Sequence, residues 1–236
     1  MKKIPLVLCP GLLCDAALWA TQVAAFSDNA ECWIPDLTRQ DTMQAMGEFV
    51  LREAPWKEFA LAGLSMGGYV ALETLRQAPG RVKKLALLDS RARPETPADS
   101  DRRRQLMALA QSARGFAPVN SRMMPLLVHP DRIKDEPLVQ GIRDMAERVG
   151  VEAYVRQQQA IMSRIDFRPR LKDIRVPTLV LCGRQDQLTP LDCSEEMAGA
   201  IPGAKLVVIE DCGHMATLER PAEVNTAMRE WVRREA

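Results

Sequence analysis

Short apolar runs alternate along the chain with longer stretches in which apolar and polar residues share a helical period. The runs are Ile4–Cys9, Cys32–Ile34, Phe59–Ala62, Leu85–Leu88, Thr178–Cys182 and Leu206–Ile209. They are β-branched or Leu-rich and lack polar alternation, the pattern of strands covered on both faces. Helical stretches are predicted at about 42–54, 66–78, 192–200 and 221–234. Pro221 suits a first helical turn, and Pro79-Gly80 stops the helix before it. Strands alternating with helices predict an α/β fold built on a mostly parallel, doubly wound sheet.

The rhythm breaks between Arg91 and about Arg168. That segment has no convincing strand and carries helical patterns at roughly 99–113, 119–128, 136–149 and 151–164. It opens on the turn-rich Pro94-Glu-Thr-Pro97 and closes at Phe167-Arg-Pro169. The chain therefore divides into a core, residues 1–90 and 168–236, and a helical cap, 91–167, inserted between two strands. Such a lid would cover the C-terminal edge of the sheet, where open α/β folds bind ligands.

Charge narrows the partners. The 32 basic and 31 acidic side chains nearly cancel, so the basic footprint of a nucleic-acid binder is missing. Arg102-Arg103-Arg104 reads as a solvated helix face. Two lysines precede Ile4–Cys9, but that run of about six residues is too short for a signal peptide and ends at Pro10-Gly11. No apolar run approaches the ~18 residues of a membrane span. A cytoplasmic protein is expected. Cys9, Cys14, Cys32, Cys182, Cys193 and Cys212 form no C-x-x-C pair, and read as reduced, structural cysteines.

The chemistry concentrates at strand ends. Gly63-Leu64-Ser65-Met66-Gly67-Gly68 lies between a strand and a helix, the context in which G-x-S-x-G lifts a serine hydroxyl on a tight turn. A Gly-rich helix start can instead cradle phosphate, but no Walker lysine follows, and G-x-G-x-x-G is absent. A serine hydroxyl needs a base to take its proton. His214, in Asp211-Cys-Gly-His-Met215 past the last strand, falls at the same sheet edge. The other histidine, His129, sits in the insertion and reads as a lid-surface or helix-end residue. Asp186 follows the strand Thr178–Cys182 and suits the acid that orients the imidazole, with Asp89, at the end of Leu85–Leu88, as its rival. The order Ser65, Asp186, His214 is that of α/β-hydrolases. Pro10-Gly11-Leu12-Leu13 supplies a turn after the first strand, which nominates the backbone amides of Leu12 and Met66 as oxyanion donors.

Taken together, Pro10-Gly11, Gly63–Gly68, Val176–Gly183 with Asp186, and Gly213-His214 resemble the α/β-hydrolase superfamily over nearly the whole chain. The likeness is to small bacterial esterases and lactonases, with cofactor-free haloperoxidase-like members and ligand-receptor homologues beside them. It implies a serine hydrolase that cleaves a small to medium carboxylic ester or lactone through an acyl-enzyme. It also leaves two other roles open: a ligand-sensing receptor and a cofactor-free perhydrolase. No metal or cofactor is implied, and a monomer or homodimer is expected. Two departures stand out. Cys9-Pro10 precede Gly11 where the family usually has His before Gly, and Asp36–Asp41 replace its usual Gly-His-Gly. Both alter pocket walls. A serine at position 65 argues against the Asp-nucleophile dehalogenases and epoxide hydrolases. The short oxyanion turn argues against proline iminopeptidases and many C–C hydrolases. Leu13, Arg91 and Met124 are the residues expected to touch substrate. Arg91 and Arg93 leave the strand end beside the site, as an exposed hinge or as partners for a substrate carboxylate.

Overall fold

In the computed structural model, residues 3–113 and 115–234 are described, apart from the side chains of residues 117–120. Met1 and Lys2, the start of the leader-like stretch, lie outside them. Six strands, β1 (Ile4–Cys9), β2 (Ala30–Trp33), β3 (Phe59–Leu64), β4 (Val82–Leu88), β5 (Thr178–Gly183) and β6 (Lys205–Ile209), form one parallel sheet in the order β2-β1-β3-β4-β5-β6. β3 is buried throughout, because it sits mid-sheet with helices on both sides. The two faces separate cleanly by strand alternation. Leu6, Leu8, Ala62, Leu88 and Leu181 pack on the side of helices α1 (Ala20–Phe26) and α10 (Pro221–Arg233). Val7, Leu61, Leu87 and Val180 pack on the other, with α2 (Met43–Glu53), α3 (Met66–Gln77) and α8 (Leu191–Ala200). A doubly wound sheet is thus the fold.

Between β4 and β5 run α4 (Pro97–Ala113), α5 (Ala117–Leu127), α6 (Glu136–Met162) and the one-turn α7 (Arg168–Leu171). α6 breaks at Gly150, whose φ of +80° is outside helical space, so it consists of two helices joined where the sequence pattern divides them. These helices share a small core of their own, centred on Phe116 edge-on to Tyr154 at 5.5 Å, against which Leu12 and Leu13 of the body pack. The short helix α9 (Ala216–Glu219) precedes α10.

Among the elements that depart from the sequence pattern are β4, which begins three residues early at Val82, and β2 and α1. β2 begins at Ala30, two residues before the apolar run, because it is an edge strand with Glu31 exposed. Helix α1 lacks an apolar signature because it buries a polar residue. Gln22 is fully enclosed and donates from Nε2 to Asn225 Oδ1 (3.1 Å) and the Thr217 carbonyl (3.4 Å). No helix among the described residues is long and apolar enough to cross a membrane. No two of the six cysteines are bonded to each other, and all but Cys32 are buried.

Candidate active site

Ser65 joins β3 to α3 at φ 55° and ψ −116°, a conformation that non-glycine residues rarely adopt. The turn is held on three sides. Ser65 N–H donates to the Leu88 carbonyl (2.9 Å), and its own carbonyl accepts from Gly68 N–H and Ser90 Oγ–H (both 2.9 Å). It also requires bare backbone nearby. A Cβ on Gly63 would stand 2.1 Å from the Gly67 carbonyl oxygen, and one on Gly67 would stand 2.1 Å from that of Cys9. Those approaches bring β1, the turn and α3 together. Gly11 is packed beside them, its Cβ direction 3.5 Å from Ser65 Cβ. Leu12 therefore leaves β1 next to the serine, and Met66 opens α3, where a first-turn amide has no acceptor within its helix.

His214 and Asp186 meet across the ends of β5 and β6. His214 Nδ1 lies 2.8 Å from Asp186 Oδ2, and both residues are buried. Asp186 is held by its own turn: Oδ1 accepts from Leu188 N–H (2.8 Å) and Thr189 N–H (3.0 Å), and Oδ2 from Thr189 Oγ–H (2.7 Å). Burial alone would push this carboxyl up. The adjacent His214 charge and hydrogen bond, with those from Thr189, outweigh burial and hold it below the usual carboxylate range. Asp89 behaves oppositely. Burial first, then the Asp186 charge, push it well above that range. Its oxygens accept from Gly183 N–H (2.8 Å) and Ala216 N–H (3.4 Å) and tie the two loops together. Asp89, Cys182 and Asp186 bring potential ligand atoms within 4.8 Å of one another. Burial raises the Cys182 thiol as well.

Ser65 and His214 open on one cavity of about 1050 Å³, counting its mouth, together with Leu12, Leu13, Arg91 and Thr189. A model of the alpha/beta hydrolase family matches residues 6–227. The chain belongs to that family. Among solved structures, the thermophilic esterase of Thermogutta terrifontis, with malate bound, is 30% identical and superposes with a TM-score of 0.91 over 98% of this chain and 90% of that one. A pimeloyl-(acyl-carrier protein) methyl ester esterase of Nitrosomonas europaea is 26% identical over 188 residues, 78% of this chain and 74% of its own length. A 2-hydroxy-6-oxononadienedioate/2-hydroxy-6-oxononatrienedioate hydrolase of Klebsiella pneumoniae is 29% identical over 171 residues, 70% of this chain and 59% of its own length. This α/β-hydrolase thus spans less than two thirds of that last relative. Family and relatives together support a hydrolytic enzyme.

Of the three residues expected at the substrate, Leu13 and Arg91 line the cavity of this α/β-hydrolase, and Met124 does not. Met124 is buried in the body core, and its neighbour Met123 faces the cavity. Helical phase decides between adjacent residues on α5. Leu13 takes φ 59°, and its amide donates to Gln157 Oε1 (3.0 Å), while Gln157 Nε2 donates to the Leu37 carbonyl (3.1 Å). This buried glutamine on α6 braces the turn that carries Leu12, and nothing in its sequence surroundings marks it. Glu219 is a second unmarked support. Its Oε1 accepts from the amides on either side of His214, those of Gly213 (3.0 Å) and Met215 (3.2 Å), and its Oε2 from His129 N–H (2.7 Å). His129 lies outside the cavity, buried at a helix end, where its Nδ1 accepts from Asp131 N–H (3.2 Å).

Arg91 and Arg93 part company. Arg93 turns to the body and pairs with Asp192 (2.9 Å) and Glu196 (3.1 Å). Arg91 turns to the cavity and pairs with Glu95 (2.6 Å). The Glu95 side chain, 4% exposed, also meets Arg103 and Arg164, the latter 2.8 Å away as an ion pair and not an aligned hydrogen bond. Arg103 is correspondingly not on a solvated face: only Arg102 and Arg104 of that run are exposed. Burial would raise Glu95, but the Arg103 hydrogen bond and the charges of Arg103, Arg164 and Arg91 hold it below its ordinary value. A depressed folded-state pKa contributes stability above the unfolded pKa, and that contribution is lost as pH falls through the folded value. Glu95→Gln should therefore melt well below wild type at pH 7, with the gap narrowing from pH 5 towards pH 3. Thermal melts across that range check it; a gap that stays constant or widens on acidification contradicts it.

Proposed function

We propose that this chain hydrolyses a carboxylic ester or lactone through an acyl-enzyme on Ser65. The observation that carries the reading is the buried 2.8 Å contact of His214 with Asp186, opening on the cavity that Ser65 also lines. With its Nδ1 proton held by Asp186, His214 keeps Nε2 as the free base. Nε2 takes the hydroxyl proton as Ser65 Oγ attacks the acyl carbon. The Leu12 and Met66 amides hold the oxyanion, and the protonated His214 gives its proton to the departing alcohol oxygen. Water, deprotonated by the same imidazole, then attacks the acyl-serine and releases the acid as His214 returns that proton to Ser65 Oγ. Helices α4–α6 act as a lid over this cavity, supplying Leu106, Met123 and Ile142 to its apolar wall. The esterase likeness at 30% identity supports the same bond class.

Wild type should turn over p-nitrophenyl acetate and butyrate many times per molecule, and Ser65→Ala should lose at least ~10³-fold in rate. Equal rates for the two proteins would remove the assignment. Acyl chains of about two to eight carbons should be preferred, each buried CH₂ adding ~0.8 kcal/mol until the wall is reached. Rates still rising at palmitoyl esters would contradict that limit.

A further inference from the structure

The cavity is not uniformly apolar. One side of it is formed by Arg91, Arg103, Tyr69 and Gln158, backed by Arg164, whose guanidinium lies 4.5 Å from the centre of the Tyr69 ring. Counting Arg102 at the mouth, four guanidiniums face two carboxylates here, Glu95 and Asp99, which leaves an excess of two positive charges. Arg93 takes no part, being matched by Asp192 and Glu196.

Arg91 is the group with capacity to spare. Its side chain is 15% exposed, and one terminal nitrogen is shared between Glu95 (2.6 Å) and the more distant Asp99 (3.6 Å). Its Nε–H is buried and has no acceptor among the described residues. Its other terminal nitrogen makes no hydrogen bond among the described residues, so the end of the guanidinium that lines the cavity is left for an acceptor that arrives with the ligand. Arg103, by contrast, is used on two edges, by Glu95 and by Gln158 Oε1 (2.7 Å). It reinforces the field and holds Gln158 in place. A guanidinium edge fits a carboxylate in two parallel hydrogen bonds, and a site with low-dielectric walls strengthens them.

We infer that the cavity takes substrates with a second, ionised carboxyl group, bound at Arg91, so that the ester cleaved is the half-ester of a short dicarboxylic acid or a lactone that bears a carboxylate. This rests on the hydrolase reading above and adds to it which acyl compounds fit. One end of the acyl chain is presented to Ser65, the other is held at the arginines, and Leu106, Met123 and Ile142 cover the methylenes between. Fixing both ends converts binding at a remote group into correct placement of the reacting carbonyl.

The test uses monomethyl and dimethyl esters of glutaric, adipic and pimelic acid, with the full chain. For at least one chain length, wild type should show a kcat/KM at least tenfold higher for the half-ester than for the diester. Arg91→Met should shrink that ratio at least tenfold, and Arg91→Lys, which keeps charge without the fork, should restore it only in part. A purely structural role for Arg91 would lower both substrates alike and leave the ratio standing, which would overturn the inference. So would a wild-type preference for the diester throughout. If Arg91→Met does not fold, wild type alone decides: free adipate should compete with p-nitrophenyl butyrate at concentrations at least tenfold below those needed for adipamide, and equal competition refutes the site. Calorimetry with Ser65→Ala separates this inference from the hydrolase reading. Binding of monomethyl but not dimethyl adipate supports the arginine site even if no ester is turned over; equal binding, or none, overturns it while leaving ester turnover to stand by itself.

Discussion

Asp186→Asn should lower kcat on p-nitrophenyl butyrate by about 10³- to 10⁴-fold while the protein stays folded. The size of the loss follows from how the carboxyl is held. Oδ1 receives two backbone N–H groups, from Leu188 and Thr189, so an asparagine must place its oxygen there. Its NH₂ then falls where Oδ2 was, 2.8 Å from His214 Nδ1. Two donors cannot face each other, so Nδ1 becomes the acceptor and the imidazole proton moves to Nε2. That nitrogen can no longer take the serine proton. Asp89→Asn should do far less: its carboxyl accepts from Gly183 N–H and Ala216 N–H and, among the described residues, makes no hydrogen bond to His214, so the imidazole keeps its tautomer. Steady-state rates for the two variants check the ranking, and a larger loss at Asp89 would transfer the acid's role to it.

The second large effect is structural. Gly67→Ala should leave little folded protein, a loss of more than about 4 kcal/mol. The new methyl would stand 2.1 Å from the Cys9 carbonyl oxygen and 2.9 Å from that of Pro10, and both belong to backbone that cannot swing aside. Moving β1 away would also displace the Leu12 turn. Gly199→Ala is the control. It lies exposed in α8 with nothing within 4 Å of its Cβ direction, and the lower entropy of the unfolded chain should stabilise the variant by about 0.5–1 kcal/mol. Soluble yield and melting temperature of the two variants test the contrast. A Gly67→Ala protein that melts within a few degrees of wild type would mean that the Ser65 turn can relax.

What could be read from the sequence follows from how local each signal is. β1, β3 and β5 announce themselves because central strands of a parallel sheet are apolar on both faces. Ser65 stands out because its turn demands glycines at fixed offsets, and Asp186 and His214 because each follows a strand by a short, polar loop. The edge strand β2 is blurred by Glu31, and α1 by the enclosed Gln22. The pocket wall is harder, since it depends on which side of a helix meets the body. Met123 and Met124 are chemically alike and only helical phase separates them. Arg103 looks like its neighbours in a basic run, yet it turns inward to Glu95. Glu95 itself lies between two prolines, where an acidic residue reads as solvated, and its side chain is instead 4% exposed. Gln157 and Glu219 carry no motif at all; their roles arise only once α6 and α9 pack against the loops they hold.

In the proposed reaction Ser65 Oγ is the activated nucleophile. Diethyl p-nitrophenyl phosphate tests it most directly, since attack at phosphorus expels p-nitrophenolate and leaves a diethylphosphoryl group that the enzyme releases slowly. Peptide mass spectrometry should find one such group per chain, on Ser65, with parallel loss of ester turnover. Ser65→Ala should remain unlabelled, and Asp186→Asn should label far more slowly than wild type. Labelling at another residue, or full ester turnover by a protein whose Ser65 carries the diethylphosphoryl group, would contradict the account.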